Sequence, residues 1–352
     1  MPIDSPGDLR EHIELAIQVE LSTVPPYLYA MYSLEDQQSE AALLIRSIVV
    51  EEMLHAALAT NLLLGVGGTP KYDTTDWMPT YPGLLPHHIP PLTVGLEPAS
   101  ASVIRDVFMR IEQPEAHGAP AEPDLFETLG QFYHALEIAL EKLDESTDLF
   151  VEPQLGRQMG DAGYYSPVAY DAEDSGGLVP VTDLASAFEA IEIIVHQGEG
   201  LSTDRWADPL HQELTHFHKL LQIADGISPL GAVKPMPSNP KAADYPDEIR
   251  DVADLYNAVY RYTFIAMAEI FSGEGDQGAA VGRLYRLMSD TLSPLAHYLT
   301  THEIDGGVAA PTFEAWAYGP DPAAELLGLA GSVRERHPGI GGPVEVLSAI
   351  CG

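Results

Sequence analysis

The sequence predicts an all-α fold, a four-helix bundle with long loops and additional C-terminal helices. Three observations predict it. Apolar residues recur at helical spacing through most of the chain. No segment shows strand alternation and no internal repeat occurs. Four of the helical segments carry acids inside their apolar stripes rather than on their polar faces.

The first helix is expected over 6–34, where Ile13, Ile17, Leu21 and Val24 recur on one side and Ser5 or Asp8 stands ready to cap the start. Pro25-Pro26 removes two backbone donors, which predicts either a kink or the beginning of a different helix. A second helix is expected over 39–64, with Leu44, Ile48, Leu58 and Leu62 on one face. The link at 36–39 is short, so the two helices should lie antiparallel. Gly65-Val-Gly-Gly-Thr-Pro70 ends the second helix. Residues 66–100 are rich in proline, glycine and tyrosine; so long a loop reads as a lid, a binding wall or a brace.

Further helices are expected at 101–110, 124–149, 183–200 and 208–224. The stretch 151–181, with Tyr164, Tyr165 and Tyr170, is irregular. The proline-rich 226–246 reads as a linker or an excursion over the bundle. Two more helices fit 247–271 and 278–301, followed by a glycine- and proline-rich tail. Residues 1–225 are expected to form the bundle and 226–352 to pack on it as one structural unit.

Fifty-three acidic against 17 basic residues give a formal charge of −36. Such a surface repels nucleic acid and anionic lipid, so neither is an expected partner. The one cysteine, Cys351, excludes a thiolate zinc site and a disulfide within the chain. The N-terminal residues do not resemble a signal peptide, and no apolar run reaches the ~20 residues that span a bilayer. A cytoplasmic protein is expected; a homo-oligomer is compatible with the sequence.

The chemistry resides in the interrupted stripes. Glu20 falls among Ile13, Ile17 and Val24. Glu52 and His55 fall among Ile45, Ile48, Ala59 and Leu62, with Glu51 about 100° away on a face read as more exposed. Glu213 and His216 fall among Leu210, Phe217 and Leu220, and Glu199 closes the stripe Leu184, Phe188, Ile191, Val195. Buried carboxylates are costly without cations, and these segments hold few Lys or Arg. Two divalent ions would supply the charge. One Glu from each of two helices plus Glu-x-x-His from two others is the ligand set of carboxylate-bridged two-metal bundles. Glu20 and Glu52 lie at similar distances from the first hairpin turn, and Glu199 and Glu213 from the 201–207 connection, so each pair comes level at ~1.5 Å per residue. Glu192 and Glu137 are alternatives to Glu199.

The strings VELSTVPPYLYAMYSLED, EEMLHAALATNLLLGVGGTPKYD, PTYPGLLPHH, FMRIEQPE, AIEIIVHQGEG and ELTHFHKLLQI carry a resemblance. Over residues 8–225, and more weakly to about 300, the chain is similar to the ferritin-like domain of the iminophenyl-pyruvate dimer synthase family of violacein-type pigment biosynthesis. The resemblance implies a ferritin-like fold. It implies a metal site at Glu20, Glu52, His55, Glu199, Glu213 and His216.

The expected function is a metal-dependent oxidase or oxygenase, with two iron ions as the leading cofactor and manganese, zinc or copper as alternatives. It would act with O₂ on a small, amino-acid-derived substrate in specialised metabolism. The alternative is a metal-binding or storage protein without turnover.

Overall fold

A computed structural model describes residues 3–116, 118–160, 176–198 and 214–352. Helix α1 (Pro6–Ser33) starts on Ser5, whose hydroxyl accepts from the Asp8 amide. Helix α2 (Glu40–Gly65) starts on Ser39, which accepts from Ala42. Among the described elements, these two pack against each other most extensively.

Pro25-Pro26 does not begin a new helix: α1 runs unbroken through both. The missing Pro26 amide leaves the Ser22 carbonyl without its helical donor, and the Tyr81 hydroxyl replaces it at 2.7 Å. Tyr81 belongs to the long loop, so the proline pair becomes a point where that loop is pinned to the bundle.

Helix α3 combines a π-helical stretch, Val103–Phe108, with a final turn, Met109–Ile111. Helix α4 (Leu129–Thr147) opens on a capping box between Thr128 and Gln131. Helix α5 (Leu184–Gly198) buries Ala187, Ala190, Ile191, Ile194 and Gln197. The described part of α6 is His216–Ala224, capped by Thr215 in extended backbone. The sequence predicts a helix over 208–224; its described part begins at His216, with Leu214 and Thr215 outside it. Tyr164, Tyr165, Tyr170, Glu199 and Glu213 lie outside the described residues.

Helix α2 is buried on nearly all sides, because α1, α5 and α6 all pack against it. A helix enclosed in this way has no polar face. Glu51, read from the sequence as exposed, is therefore 0% exposed.

The rest of the chain forms α7 (Asp247–Ile270), α8 (Gln277–Leu287), a π-helical turn Met288–Leu292, and α9 (Ser293–Thr300). The tail then forms α10 (Pro322–Arg336) and α11 (Gly341–Cys351). Among the described residues two short antiparallel ladders occur, Gly83–Leu84 with Thr93–Val94 and Glu303–Ile304 with Gly307–Val308. The segment after α6 lies along the end of α1: Glu35 donates to the Ala232 carbonyl at 3.0 Å and Lys234 to that of Ser33 at 2.7 Å. Asn239 accepts from the Leu96 amide at 2.8 Å. Arg261 of α7 donates to the Tyr72 carbonyl at 3.0 Å, while the Tyr72 hydroxyl meets Thr60 of α2 at 2.7 Å. The 66–100 loop is thus braced from both sides. Among the described residues no helix is long and apolar enough to cross a membrane.

Candidate metal centre

Four elements contribute to the described centre. Glu20 comes from α1, Glu52 and His55 from α2, and His216 from the first position of α6. Glu112, just past α3, completes the described cluster. None of these five residues is more than 2% exposed.

One ligand-type atom from each of Glu52, His55 and His216 lies within 4.8 Å of the other two. His216 Nδ1 is 2.9 Å from Glu52 Oε1 and 3.4 Å from Glu112 Oε2. Even so, that nitrogen forms no hydrogen bond, although it is fully buried. His55 Nδ1 is 3.5 Å from Glu20 Oε2. The two imidazole rings stack with centroids 5.2 Å apart.

Each carboxylate is anchored by a hydroxyl. Tyr133 donates to Glu20 Oε1 at 2.5 Å, Thr23 to Glu52 Oε2 at 2.6 Å, and Tyr27 to Glu112 Oε1. The outer nitrogens of the imidazoles are held too. His55 Nε2 meets Gln197 Oε1 at 2.9 Å, and His216 Nε2 meets Glu51 Oε2 at 3.0 Å. Leu129, Ile194 and Val195 wall a narrow cavity beside Glu20, Glu52 and Glu112.

The protonation pattern reflects a shortage of positive charge. Burial, then the charge of Glu112, pushes Glu52 up to about 8. Burial opposes the charged form of His216, but Glu112, Glu51 and Glu52 outweigh it and hold its proton well above the usual imidazole range. His55 is shifted upward against its burial by Glu20. For Glu20, burial is outweighed by His55 and by the Tyr133 hydroxyl, and its proton affinity falls. Without cations the cluster holds protons where carboxylates ordinarily have none. Divalent ions fit this donor set of carboxylate oxygens and imidazole nitrogens, and the bare Nδ1 of His216 is a ready ligand atom.

Of the sequence-predicted residues, Glu20, Glu52, His55 and His216 are brought together. Glu199 and Glu213 lie outside the described residues. Glu192 and Glu137 are not brought in. Glu192 is exposed on α5, and Glu137 is half-buried on α4, where burial raises its proton affinity and its charged neighbours are His134, Glu192 and Glu115. The phase of α5 explains this, for its inward position is occupied by Gln197.

Glu112 was missed. It carries a usable signal, since Ile104, Phe108 and Glu112 follow one another at steps of four on one face. The expected helix ended at 110, and Glu112 stands just past the last helical residue, Ile111. Glu51 was missed because an amphipathic helix was assumed.

A family model described as Ferritin-like matches residues 13–225. The chain is 26% identical to 2-imino-3-(indol-3-yl)propanoate dimerase of Chromobacterium violaceum, over 88% of this chain and 34% of that protein. It is 23% identical to dichlorochromopyrrolate synthase of Lentzea aerocolonigenes, over 96% of this chain and 39% of that protein. The chain therefore spans between 34% and 39% of the length of these curated relatives. A ferritin-like protein from Caulobacter vibrioides has a crystal structure that superposes with a TM-score of 0.57 at 22% identity, covering 86% of this chain and 96% of that one. With a helical bundle, a buried carboxylate–imidazole cluster and a family match over most of the bundle, the chain belongs to the ferritin-like family.

Proposed function

We propose that this chain is a metal-dependent oxidoreductase domain, with iron the leading cofactor and two ions the expected number. It acts with O₂ on a small amino-acid-derived substrate in specialised metabolism. The observation that carries this reading is the bare, fully buried Nδ1 of His216 facing Glu52 and Glu112. Glu52, His55 and His216 would hold an ion, with Glu20 and Glu112 as further carboxylate donors. Glu199 and Glu213 remain candidate ligands from outside the described residues.

Iron bound there supplies redox chemistry with dioxygen. The protein's own residues do the rest. Tyr133, Thr23 and Tyr27 orient three carboxylates, and Gln197 and Glu51 aim two imidazoles. Leu129, Ile194 and Val195 keep bulk water from the cluster, which strengthens every electrostatic interaction inside it. The substrate class follows the two curated relatives, one named for an imine of an indolyl propanoate and the other for a dichlorochromopyrrolate.

Anaerobic Fe(II) titration of the purified chain, followed by O₂ and metal analysis, tests the reading. The enzyme reading expects about two irons per chain and O₂ consumption coupled to substrate oxidation. Storage without turnover expects many irons per assembly. A helical protein whose acids are merely hydrogen-bonded expects no metal, and that result overturns the proposal.

A further inference from the structure

The two histidines of the centre are oriented alike and supported differently. Each points Nδ1 at the carboxylates and has a partner on Nε2. For His55 the partner is the neutral amide oxygen of Gln197. For His216 it is the carboxylate of Glu51. Glu51 is in turn gripped by Lys219, whose Nζ lies 2.7 and 2.5 Å from its two oxygens.

Glu51, His216 and Lys219 are each 0% exposed. Lys219 follows His216 by three residues on α6, so ammonium and imidazole leave the same face of one helix and meet Glu51 together. A buried carboxylate without a counter-charge is strongly destabilising. Lys219 provides the counter-charge, and the arrangement ties α6 to α2.

We propose that Glu51 and Lys219 are positioning residues for a cation bound at His216. Glu51 accepts the Nε2 proton of His216, which fixes the lone pair on Nδ1 where the other donors converge. It also lends the ring negative charge that Gln197 does not lend His55, so the two imidazoles are unequal donors. Lys219 holds the Glu51 carboxylate in place through both of its oxygens. The inference rests on the metal-dependent reading above.

The test uses Zn(II), which is diamagnetic. In the Zn(II)-loaded wild-type chain with ¹⁵N-labelled histidine, the expected spectrum has His216 protonated on Nε2 and metallated on Nδ1. A proton on Nδ1 overturns the inference. Glu51→Gln keeps an acceptor oxygen but removes the carboxylate charge that faces the buried Lys219. Glu51→Gln combined with Lys219→Met removes both charges at similar volume. In the double variant, chelator competition should show Zn(II) affinity lowered ~10–100-fold while helix content and melting are retained. Unchanged affinity in a folded double variant overturns the inference and leaves the metal reading standing. A wild-type chain that binds neither Zn(II) nor Fe(II) overturns both. Should the double variant not fold, the wild-type spectrum alone decides.

Discussion

The Tyr133 hydroxyl donates to Glu20 Oε1 across 2.5 Å, joining α4 to the carboxylate that α1 carries into the interior. Tyr133→Phe keeps the ring and removes the donor. Hydrogen bonds to charged groups contribute about 1.5–3 kcal/mol, so the metal-free protein should lose stability of that order in urea unfolding. A loss near zero would mean that Glu20 finds another donor.

Glu112 and Glu137 are both partly or wholly buried acids, but only Glu112 reaches the cluster. Glu112→Gln should reduce bound metal in elemental analysis, by about tenfold or more in affinity if the carboxylate is a direct ligand. Glu137→Gln and Glu192→Gln should leave metal content at the wild-type level. The opposite ranking would move the third acidic ligand back to α4 or α5.

Substituting the imidazole of His55 or His216 by alanine removes a ligand atom from the trio whose donor atoms lie within 4.8 Å of one another. Metal content should fall sharply in each variant. Circular dichroism should show the bundle intact, since α2 is held by packing along its whole length. Full metal retention in both variants would show that the ion binds elsewhere.

The metal-free protein should become less stable as pH rises from about 5 to about 8. The sign follows from proton counting. Folded Glu52 titrates at about 8 and unfolded Glu52 near its ordinary 4.5, so the folded chain holds the extra proton between those values. His216 and His55 are shifted upward and act in the same direction. Glu20 is shifted downward and acts only at lower pH. Divalent cations displace these protons, so metal affinity should rise over the same interval. Urea midpoints of metal-free protein at three pH values, with and without Mn(II), measure both slopes.

Tyr81 supplies the donor that Pro26 takes away from the Ser22 carbonyl. Tyr81→Phe leaves that part-buried carbonyl without its donor, at a cost of about 1 kcal/mol. Thermal unfolding should register the loss. Metal affinity should change little, because the Ser22 carbonyl is not part of the cluster.

Much of the bundle was legible in the sequence because helical periodicity is a local property. Ser5 and Ser39 cap the first two helices, and the acids in their stripes are visible as breaks in an apolar pattern. Glu20, Glu52, His55 and His216 could each be picked out from their own helix. Local pattern also misled. It passed over Glu112, which stands at the C-cap of α3, and it left unread the two tail helices α10 and α11.

By itself the sequence determined the helical class, the first hairpin, and the presence of carboxylates and imidazoles on faces where water is unwelcome. Tertiary structure alone decided which of those side chains meet. Whether Glu51 is exposed depends on how many helices surround α2, and no stretch of α2 encodes that number. Whether α5 sends a glutamate or Gln197 inward depends on its rotation against its neighbours. Periodicity fixes the direction of a side chain relative to its own helix axis, while a metal centre is fixed by the positions of several axes relative to one another.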